Sequence, residues 1–407
     1  MGWLTAAEAL SILGVRPQTL YANVSRRRIR ARPDPKDPRR SLYHEADVKK
    51  IARTPAGARK AERVAAAAIE WGDPILPSAI STVAQGRLWY RGQDAVDLAE
   101  RGTLEEIAAV LWESGAASFA DAPARGHGAR AAGTRSVRSR ENVPGTRAVL
   151  PAMLGAIAGR AGSDPPSYGR AATVLRSEAS EVLTALADSI IDSGRRAPLH
   201  VRIAAGWQRK QAADVVRRAL VLLADHELNA STFAVRVTVS TGASLASGIL
   251  AGLATLSGPL HGRAAAGVLE LVRAGRQRGM LAALREWLEY GRVLSGFGHP
   301  LYRDGDVRAE ALLRTVAVPP EYAELRAAAS ELTGEQPNID FALAAMTASF
   351  HLPPDAPLVL FATARCVGWL AHAMEQASAG RLIRPRARYV GPPLGAAIAS
   401  SADGASS

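Results

Sequence analysis

Three of the chain's eight histidines stand in segments whose residues suit chemistry better than plain packing. They are His226 in "DHELNASTF", His261 in "SGPLHGRAA" and His299 in "GFGHPLYRD". Glycine beside the last two is typical of places where a helix ends and the backbone comes close to a ligand. Any one of them alone is more readily explained as a hydrogen-bonded core histidine, so only the set indicates a reactive site.

A carboxylate and several arginines complete this set. Asp340 in "PNIDFALAAM" stands at the start of a predicted helix, where it serves either as an N-cap or as a base. Arg308 ends "GFGHPLYRDGDVR", Arg365 interrupts an apolar helix, and Arg384 lies in "RLIRPRARYVG". Arginines bind carboxylates through paired hydrogen bonds, and a carboxylate removes a carbon-bound proton only when a partner stabilises the negative oxygen that forms. The combination therefore suits a reaction between a dicarboxylate and a weak carbon acid.

Other kinds of site are not indicated. The sequence has no metal-ligand spacing of histidines, no CxxC and no phosphate-binding glycine loop, so we predict no metal and no bound cofactor. The one cysteine, Cys366, excludes an internal disulfide; with no signal-peptide pattern, we expect a cytoplasmic protein. Residues 237–262 lack charge, but glycine, serine and threonine interrupt them, which predicts buried helix and no membrane span.

The elements that must position these residues are predicted to be helices. From about residue 61 onward, segments such as "EEIAAVLWES" and "GMLAALREWLEYGRVL" repeat apolar residues with helical spacing, and no sheet core is expected. Residues 123–147 are rich in Gly, Ala, Arg and Ser and predict a flexible basic surface loop. The alternative for this segment is a basic arm that touches DNA or a phosphate-bearing ligand.

The first 60 residues carry most of the charge, with 14 Lys/Arg and five Asp/Glu, or +9 of the chain's +12. Thr5 and Glu8 predict a capping box at a first helix, and a second helix, a two-stranded wing and a third helix follow. The segments "TAAEALSILGV", "TLYANVSRR" and "RRSLYHEADV" resemble the winged helix-turn-helix domains of the MerR and excisionase type. The predicted DNA-contact residues are Gln18, Thr19, Asn23, Arg26, Arg27, Arg28, Arg39 and Arg40. The alternative is a basic helical adaptor that docks on the rest of the chain or on another protein.

The larger part of the chain resembles the citrate synthase family over roughly residues 75–395. The resemblance rests on "DHELNASTFAVRVTVSTGASL", "SGPLHGRAA", "GFGHPLYRDGDVR", "PNIDFALAAM", "RCVGWLAHAMEQ" and "RLIRPRARYVGP", in that order. It implies an all-α, two-domain citrate synthase fold at residues 61–407, with a small subdomain at roughly 266–360, preceded by the winged domain at 1–60. It also implies condensation of acetyl-CoA, as co-substrate, with oxaloacetate to give citrate and CoA.

The resemblance also implies roles for three candidate catalytic residues. Asp340 would take a proton from the methyl group of acetyl-CoA. His261 would stabilise the enol or enolate through a hydrogen bond to the thioester oxygen. His299 would donate to the oxaloacetate ketone as its carbon is attacked.

The remaining residues of the set would bind oxaloacetate. The resemblance implies that His226, Arg308 and Arg365 bind oxaloacetate. It also implies that Arg384 reaches the substrate of a partner subunit. We therefore expect a homodimer or a higher oligomer.

Five residues depart from the family pattern, and they leave the acyl-CoA preference and the rate open. They are Arg263, Ala265, Ala266, Pro300 and Val307. One alternative is 2-methylcitrate synthase using propionyl-CoA, because one methylene is worth only about 1–3 kcal/mol in such a pocket. Another is a DNA-binding transcription regulator whose synthase-like body senses a metabolite. The retained catalytic set favours the enzyme, and the basic N-terminal module favours the regulator.

Overall fold

The computed structural model describes residues 2–13, 17–25, 29–35, 41–52, 76–114, 149–191, 197–258, 261–262, 264–385, 387, 389 and 391. Several predictions concern residues outside these ranges. They are the DNA-contact arginines Arg26, Arg27, Arg28, Arg39 and Arg40, the basic segment 123–147, and Arg263. The backbone of Gln18 and Thr19 is described but their side chains are not.

The N-terminal elements follow the predicted order and add one strand. They are β1 (Trp3–Leu4), α1 (Ala6–Leu13), α2 (Pro17–Ser25), β2 (Ala31–Pro33), β3 (Ser41–His44) and α3 (Glu45–Ala52). The strands form an antiparallel sheet in the order β1-β3-β2, so the predicted two-stranded wing has a third strand. The Thr5–Glu8 capping box is confirmed, because the Thr5 amide donates to the Glu8 carboxylate at 2.8 Å and the Glu8 amide donates back to the Thr5 hydroxyl at 3.3 Å.

A small core holds these elements together. Leu20 of α2 is fully buried and joins a cluster with Ile29, Tyr43 and Val48. The side chain of Asn23 is half-buried, and its predicted contact with DNA stays a prediction.

A second small sheet contradicts the prediction of a purely helical body. It contains β4 (Ser81–Ala84), β5 (Arg87–Tyr90) and β6 (Gln93–Asp94), paired antiparallel in that order. Gln85 and Gly86 both have positive φ, 54° and 72°, which is the backbone of the tight turn that best matches strand twist. Leu88 and Tyr90 of β5 are buried, while Arg87 is exposed and Trp89 is half-buried. This alternation has a period of two residues, so helical spacing does not reveal it.

The rest of the described chain is helical. The helices are α4 (Ala95–Arg101), α5 (Leu104–Trp112), α6 (Val149–Ala161), α7 (Ala172–Asp188), α8 (Leu199–Gly206), α9 (Ala213–Leu223), α10 (Ala230–Ser240), α11 (Leu245–Leu256), α12 (Ala264–Arg278), α13 (Met280–Glu289), α14 (Val307–Leu313), α15 (Pro320–Thr333), α16 (Ile339–Ser349) and α17 (Ala356–Ala379), with a 3-10 turn at Lys210–Ala212. Most of the uncharged stretch 237–262 lies in α10 and α11, which pack against each other. Seven residues of α11 are buried, so the prediction of buried helix is confirmed there.

Helix α17 forms the centre of the larger core. It packs against α5, α7, α9, α10 and α11. By length and composition it is apolar enough to cross a membrane, but 83% of its most apolar window is buried within the fold. Because α17 also carries the buried polar residues Arg365 and His372, it is better explained as a core helix.

Helix α16 lies between two cores and so reaches the space where they meet. Leu343 and Met346 belong to the larger core, while Phe341 and Ala345 belong to a second core built with α12, α13 and α15. This second core falls within the predicted small subdomain, residues 266–360, whose boundaries stay a prediction. A residue at the start of α16, such as Asp340, is therefore held by both cores at once.

Candidate active site

Two of the three candidate histidines lie side by side. His226 follows the end of α9 and His299 lies in the loop before α14, and their ring centroids are 5.0 Å apart in an edge-to-face arrangement. Tyr302 completes the cluster, with its hydroxyl 3.0 Å from Nε2 of His226. Burial, with the positive charge of Arg308, holds the pKa of His226 well below its usual value. The ring is therefore neutral near pH 7 and able to donate or accept one hydrogen bond.

His299 is oriented by its own loop. The amide of Leu301 donates to Nδ1 of His299 at 3.2 Å. A ring nitrogen that accepts this bond carries no proton, so Nε2 is the nitrogen left to carry one. This is the arrangement that a hydrogen-bond donor to a ketone oxygen needs.

Arg308 is buried against a single carboxylate. Its guanidinium donates to both oxygens of Asp306, at 2.9 and 2.8 Å, and only 3% of Arg308 is exposed. Asp306 also caps α14 and accepts the Ile339 amide at 3.0 Å, so its carboxylate is occupied by local structural contacts. Burial lowers the pKa of Arg308, but Asp306 outweighs this and raises it, so the arginine stays charged.

Arg365 is a buried cation, and not all of its hydrogen-bond donors have partners among the described residues. It is 1% exposed, and its Nε donates to the Leu223 carbonyl oxygen at 2.9 Å. Nη1 is also buried, and among the described residues it has no hydrogen-bond partner. Burial lowers the pKa of Arg365, and the nearby Asp225 carboxylate opposes that effect. A buried guanidinium nitrogen without a partner is costly, and an anion bound beside Nη1 would supply the missing acceptor.

His261 is held by the hydroxyl of Ser231, a residue outside the predicted site. Its Nε2 lies 2.8 Å from the hydroxyl of Ser231, which is in turn 2.8 Å from Oδ1 of Asn229, the N-cap of α10. Burial, with the charge of Arg365, lowers the pKa of His261 to about 4. The imidazole is neutral at pH 7 and, with Nε2 engaged by Ser231, Nδ1 is the nitrogen left for a substrate. A polar N-cap three residues after His226 was the available signal for Ser231.

The carboxylate of Asp340 is not used to cap its helix. Asn338 is the N-cap of α16, and its Oδ1 accepts the Asp340 amide at 3.0 Å, so the alternative N-cap role of Asp340 is wrong. Burial raises the pKa of Asp340 to about 7, although Arg308 opposes the shift. Asn338 also donates to the carbonyl oxygens of Ser295 and Gly298, at 2.8 and 3.1 Å. One side chain therefore joins the start of α16 to the loop that carries His299.

The predicted residues do not all meet in one place. Arg384 is exposed in the extended segment after α17, which is attached to α10 through a hydrogen bond from the Ile383 amide to Ser240 at 3.1 Å. Its expected reach into a partner subunit stays a prediction. Val307, which departs from the family pattern, occupies the first position of α14 after its cap Asp306. Proline is favoured there but not required, so this departure keeps the helix start intact.

The arrangement combines three chemical capabilities. Arg308 and Arg365 supply buried positive charge for a dianion, and the neutral histidines supply hydrogen bonds to oxygens that gain negative charge. Asp340 has a pKa near neutral, where a carboxylate is a stronger base than usual.

Comparison with known proteins identifies a matching family and several relatives. The family described as "Citrate synthase, C-terminal domain" matches residues 70–386. The chain is 40% identical over 190 residues to Citrate synthase 2 of Bacillus subtilis, covering 44% of this chain and 51% of that protein. It therefore spans about half the length of that relative. It is also 29% identical over 336 residues to 2-methylcitrate synthase of Mycobacterium tuberculosis, covering 75% of this chain and 84% of that protein.

Solved structures agree on the fold. The crystal structure of citrate synthase from Thermotoga maritima is 27% identical and superposes with a TM-score of 0.63, over 79% of this chain and 94% of that one. A citrate synthase from Thermoplasma acidophilum, at 24% identity and a TM-score of 0.61, covers 80% of this chain and 96% of that one. With the family match covering more than three quarters of the sequence, this chain belongs to the citrate synthase family.

Proposed function

We propose that this protein is a citrate synthase-type acyltransferase that condenses acetyl-CoA with oxaloacetate and releases citrate and CoA. The observation that carries the proposal is the buried Nη1 of Arg365, which has no partner among the described residues and belongs to the same site as neutral His226 and His261. A dicarboxylate supplies the missing acceptor. The same site holds a carboxylate, Asp340, whose pKa of about 7 suits proton removal from carbon.

The proposed reaction uses Asp340 to remove a proton from the methyl carbon of acetyl-CoA. His261 donates a hydrogen bond to the thioester oxygen from Nδ1, which requires the Ser231 hydroxyl to turn its proton from Asn229 to Nε2 of His261. This bond stabilises the enol or enolate. The new carbon–carbon bond forms at the ketone carbon of oxaloacetate, and the ketone oxygen takes a proton from His299. Water then cleaves the thioester, which gives citrate and the free thiol of CoA. The proposed reaction steps use no bound cofactor.

Binding of oxaloacetate falls to His226, Arg308 and Arg365. Arg308 already pairs with Asp306, so it presents a positioned charge, while Nη1 of Arg365 has no hydrogen-bond partner within the described part of the chain. We place the small subdomain at roughly residues 266–360 and propose that its closure over the substrate excludes water until the thioester is cleaved. Arg384 is proposed to enter the site of a partner subunit in a homodimer, and the buried free Cys366 agrees with a cytoplasmic protein.

The experiment that tests this function measures release of free thiol. Purified protein is mixed with oxaloacetate and either acetyl-CoA or propionyl-CoA. Release that needs both substrates supports the synthase, and no release with either, beside tight oxaloacetate binding, supports the metabolite-sensing regulator. Because the chain matches most of the length of a 2-methylcitrate synthase, propionyl-CoA must be tested beside acetyl-CoA. A higher kcat/KM with propionyl-CoA than with acetyl-CoA would replace the citrate assignment by 2-methylcitrate.

The activity is expected to rise with pH through neutrality. Asp340 must be ionised to act as base, and burial raises its pKa to about 7, so its active form is lost as pH falls below that value. His261 titrates near pH 4 and stays neutral over the same range. The value of kcat/KM for acetyl-CoA should therefore fall about tenfold per pH unit below the pKa of Asp340. A flat profile between about pH 5 and pH 8 would contradict the assignment of Asp340 as base.

We also propose that residues 1–60 form a winged helix-turn-helix domain that binds duplex DNA. The support is the order of α1, α2, the sheet and α3, together with a net charge of +9 in this segment. Among the described residues, Arg30 is paired with Asp47 at 2.8 Å, so it is less available to a phosphate. The proposed contacts, taken from the sequence, are Gln18, Thr19 and Asn23 on α2 and Arg26, Arg27, Arg28, Arg39 and Arg40.

DNA binding is expected to depend steeply on salt. Five arginine–phosphate contacts predict a slope of log Kobs against log salt of about −4.5, measured by fluorescence anisotropy with a duplex between about 50 and 200 mM salt. Replacing Arg39 and Arg40 with alanine should make the slope less negative by about 2. Arg276→Ala with Arg278→Ala, on α12, is the control and should leave the slope unchanged. An undetectable or salt-independent interaction would favour the adaptor alternative.

A further inference from the structure

The segment that carries His226 is attached to the hairpin β4–β5, far away in sequence. On its N-terminal side, the Asp225 amide donates to the Tyr90 hydroxyl at 3.3 Å, and this hydroxyl lies 3.0 Å from the Val221 carbonyl oxygen. On its C-terminal side, the Glu227 carboxylate accepts hydrogen bonds from the Val83 amide and from the Thr82 hydroxyl, the latter at 3.1 Å. Both strands of the hairpin therefore contact the residues on either side of His226.

The hydroxyl of Ser81 contacts both neighbours of His226, Asp225 and Glu227. It donates to Oδ2 of Asp225 and accepts the Glu227 amide at 3.0 Å, so it bridges the residues immediately before and after His226. Glu227 has φ of 52°, a left-handed conformation that a side-chain-bearing residue adopts only where contacts hold it. The Ser81 and Val83 contacts supply that restraint, which keeps the His226 backbone in one position.

The same hydroxyl acts on the anion site through Asp225. Asp225 is fully buried, and its Oδ2 also lies 3.1 Å from Nε2 of His372. Burial alone would raise the pKa of Asp225, but His372, Arg365 and Ser81 together lower it, so it stays a carboxylate. That negative charge opposes the effect of burial on Arg365. A hydrogen bond that stabilises ionised Asp225 therefore also favours a charged Arg365.

We propose that Ser81 is a positioning residue for the dicarboxylate site, acting through Asp225 and Glu227 on His226 and Arg365. The proposal rests on the proposed function for its substrate, oxaloacetate. The restraint of the Glu227 backbone by Ser81 is present without ligand, so that part of the proposal does not depend on the proposed function. Ser81 does not touch the substrate in this account.

The test compares Ser81→Ala with Ser81→Thr in the full-length protein. Without ligand, Ser81→Ala should speed hydrogen exchange of the Glu227 amide about tenfold, since that amide loses its acceptor. With oxaloacetate, the same variant should raise the Kd about tenfold, while the KM for acetyl-CoA at saturating oxaloacetate stays within about twofold of wild type. Ser81→Thr keeps the hydroxyl and should restore both quantities.

The control is Ser180→Ala on α7, whose hydroxyl bonds only to the Arg176 carbonyl of its own helix among the described residues. It should change neither measurement. Wild-type exchange at Glu227 in Ser81→Ala, or a rise in Kd that Ser81→Thr does not reverse, would overturn the proposal. If the wild-type protein does not bind oxaloacetate, the proposed function fails. Hydrogen exchange of the Glu227 amide still shows whether Ser81 restrains the backbone at this position. Should Ser81→Ala not fold, Ser81→Cys, similar in size with a weaker donor, takes its place in both measurements.

Discussion

Asp340→Asn is expected to lower the rate of thiol release from acetyl-CoA about a thousandfold, which is the usual contribution of a positioned general base. The amide has the size of the carboxylate but no basic lone pair for a carbon-bound proton. Because Asn338 and not Asp340 caps α16, the helix start should survive the change. Oxaloacetate affinity should also survive, since binding is assigned to the arginines and His226. Steady-state thiol release and calorimetric oxaloacetate titration measure the two properties separately.

Asp355→Asn is the matched control for this prediction. Asp355 also stands at the start of a helix, α17, makes no capping hydrogen bond, and has its pKa raised by burial. Its replacement tests whether removing any partly buried carboxylate of this kind slows the enzyme. Undiminished turnover in Asp340→Asn, or an equal loss in Asp355→Asn, would remove Asp340 as the base.

Arg365→Lys is expected to raise the Kd for oxaloacetate about a hundredfold, because lysine cannot reproduce the planar pair of donors that a carboxylate accepts. The substitution keeps the positive charge, so it separates hydrogen-bond geometry from charge. It also removes the Nε bond to the Leu223 carbonyl oxygen, which orients the guanidinium within the core. The measurement is calorimetric titration of oxaloacetate, with circular dichroism to establish that the variant is folded.

Arg276→Lys provides the control for Arg365→Lys. Arg276 pairs with Glu321 on an exposed face of α12, and 61% of its side chain is accessible. Exposed pairs of this kind contribute only about 0–1 kcal/mol, so the Kd should not change. A Kd within about threefold of wild type in a folded Arg365→Lys variant would show that charge alone binds the substrate.

Several features of the fold follow from local sequence. The Thr5–Glu8 capping box and the apolar spacing of the body helices are encoded by neighbouring residues, since capping and helical periodicity act over a few positions. The β4–β5 hairpin is equally local, but its strands pair over only four residues each, which is too short a pattern to stand out among helical segments. The choice between two roles for Asp340 could not be made locally. It depended on whether Asn338 would take the N-cap, and Asn338 is fixed by its bonds to Ser295 and Gly298.

By itself, the sequence determined which side chains are available for the reaction: His226, His261, His299, Asp340, Arg308 and Arg365, in segments typical of the citrate synthase family. Only the tertiary structure decided their chemical state. Burial among α16, α17 and the neighbouring loops holds the pKa of His261 near 4 and raises that of Asp340 to about 7, and it leaves Nη1 of Arg365 without a partner among the described residues. Desolvation and the distance between charges are properties of the packed protein, because they depend on residues far apart in the chain.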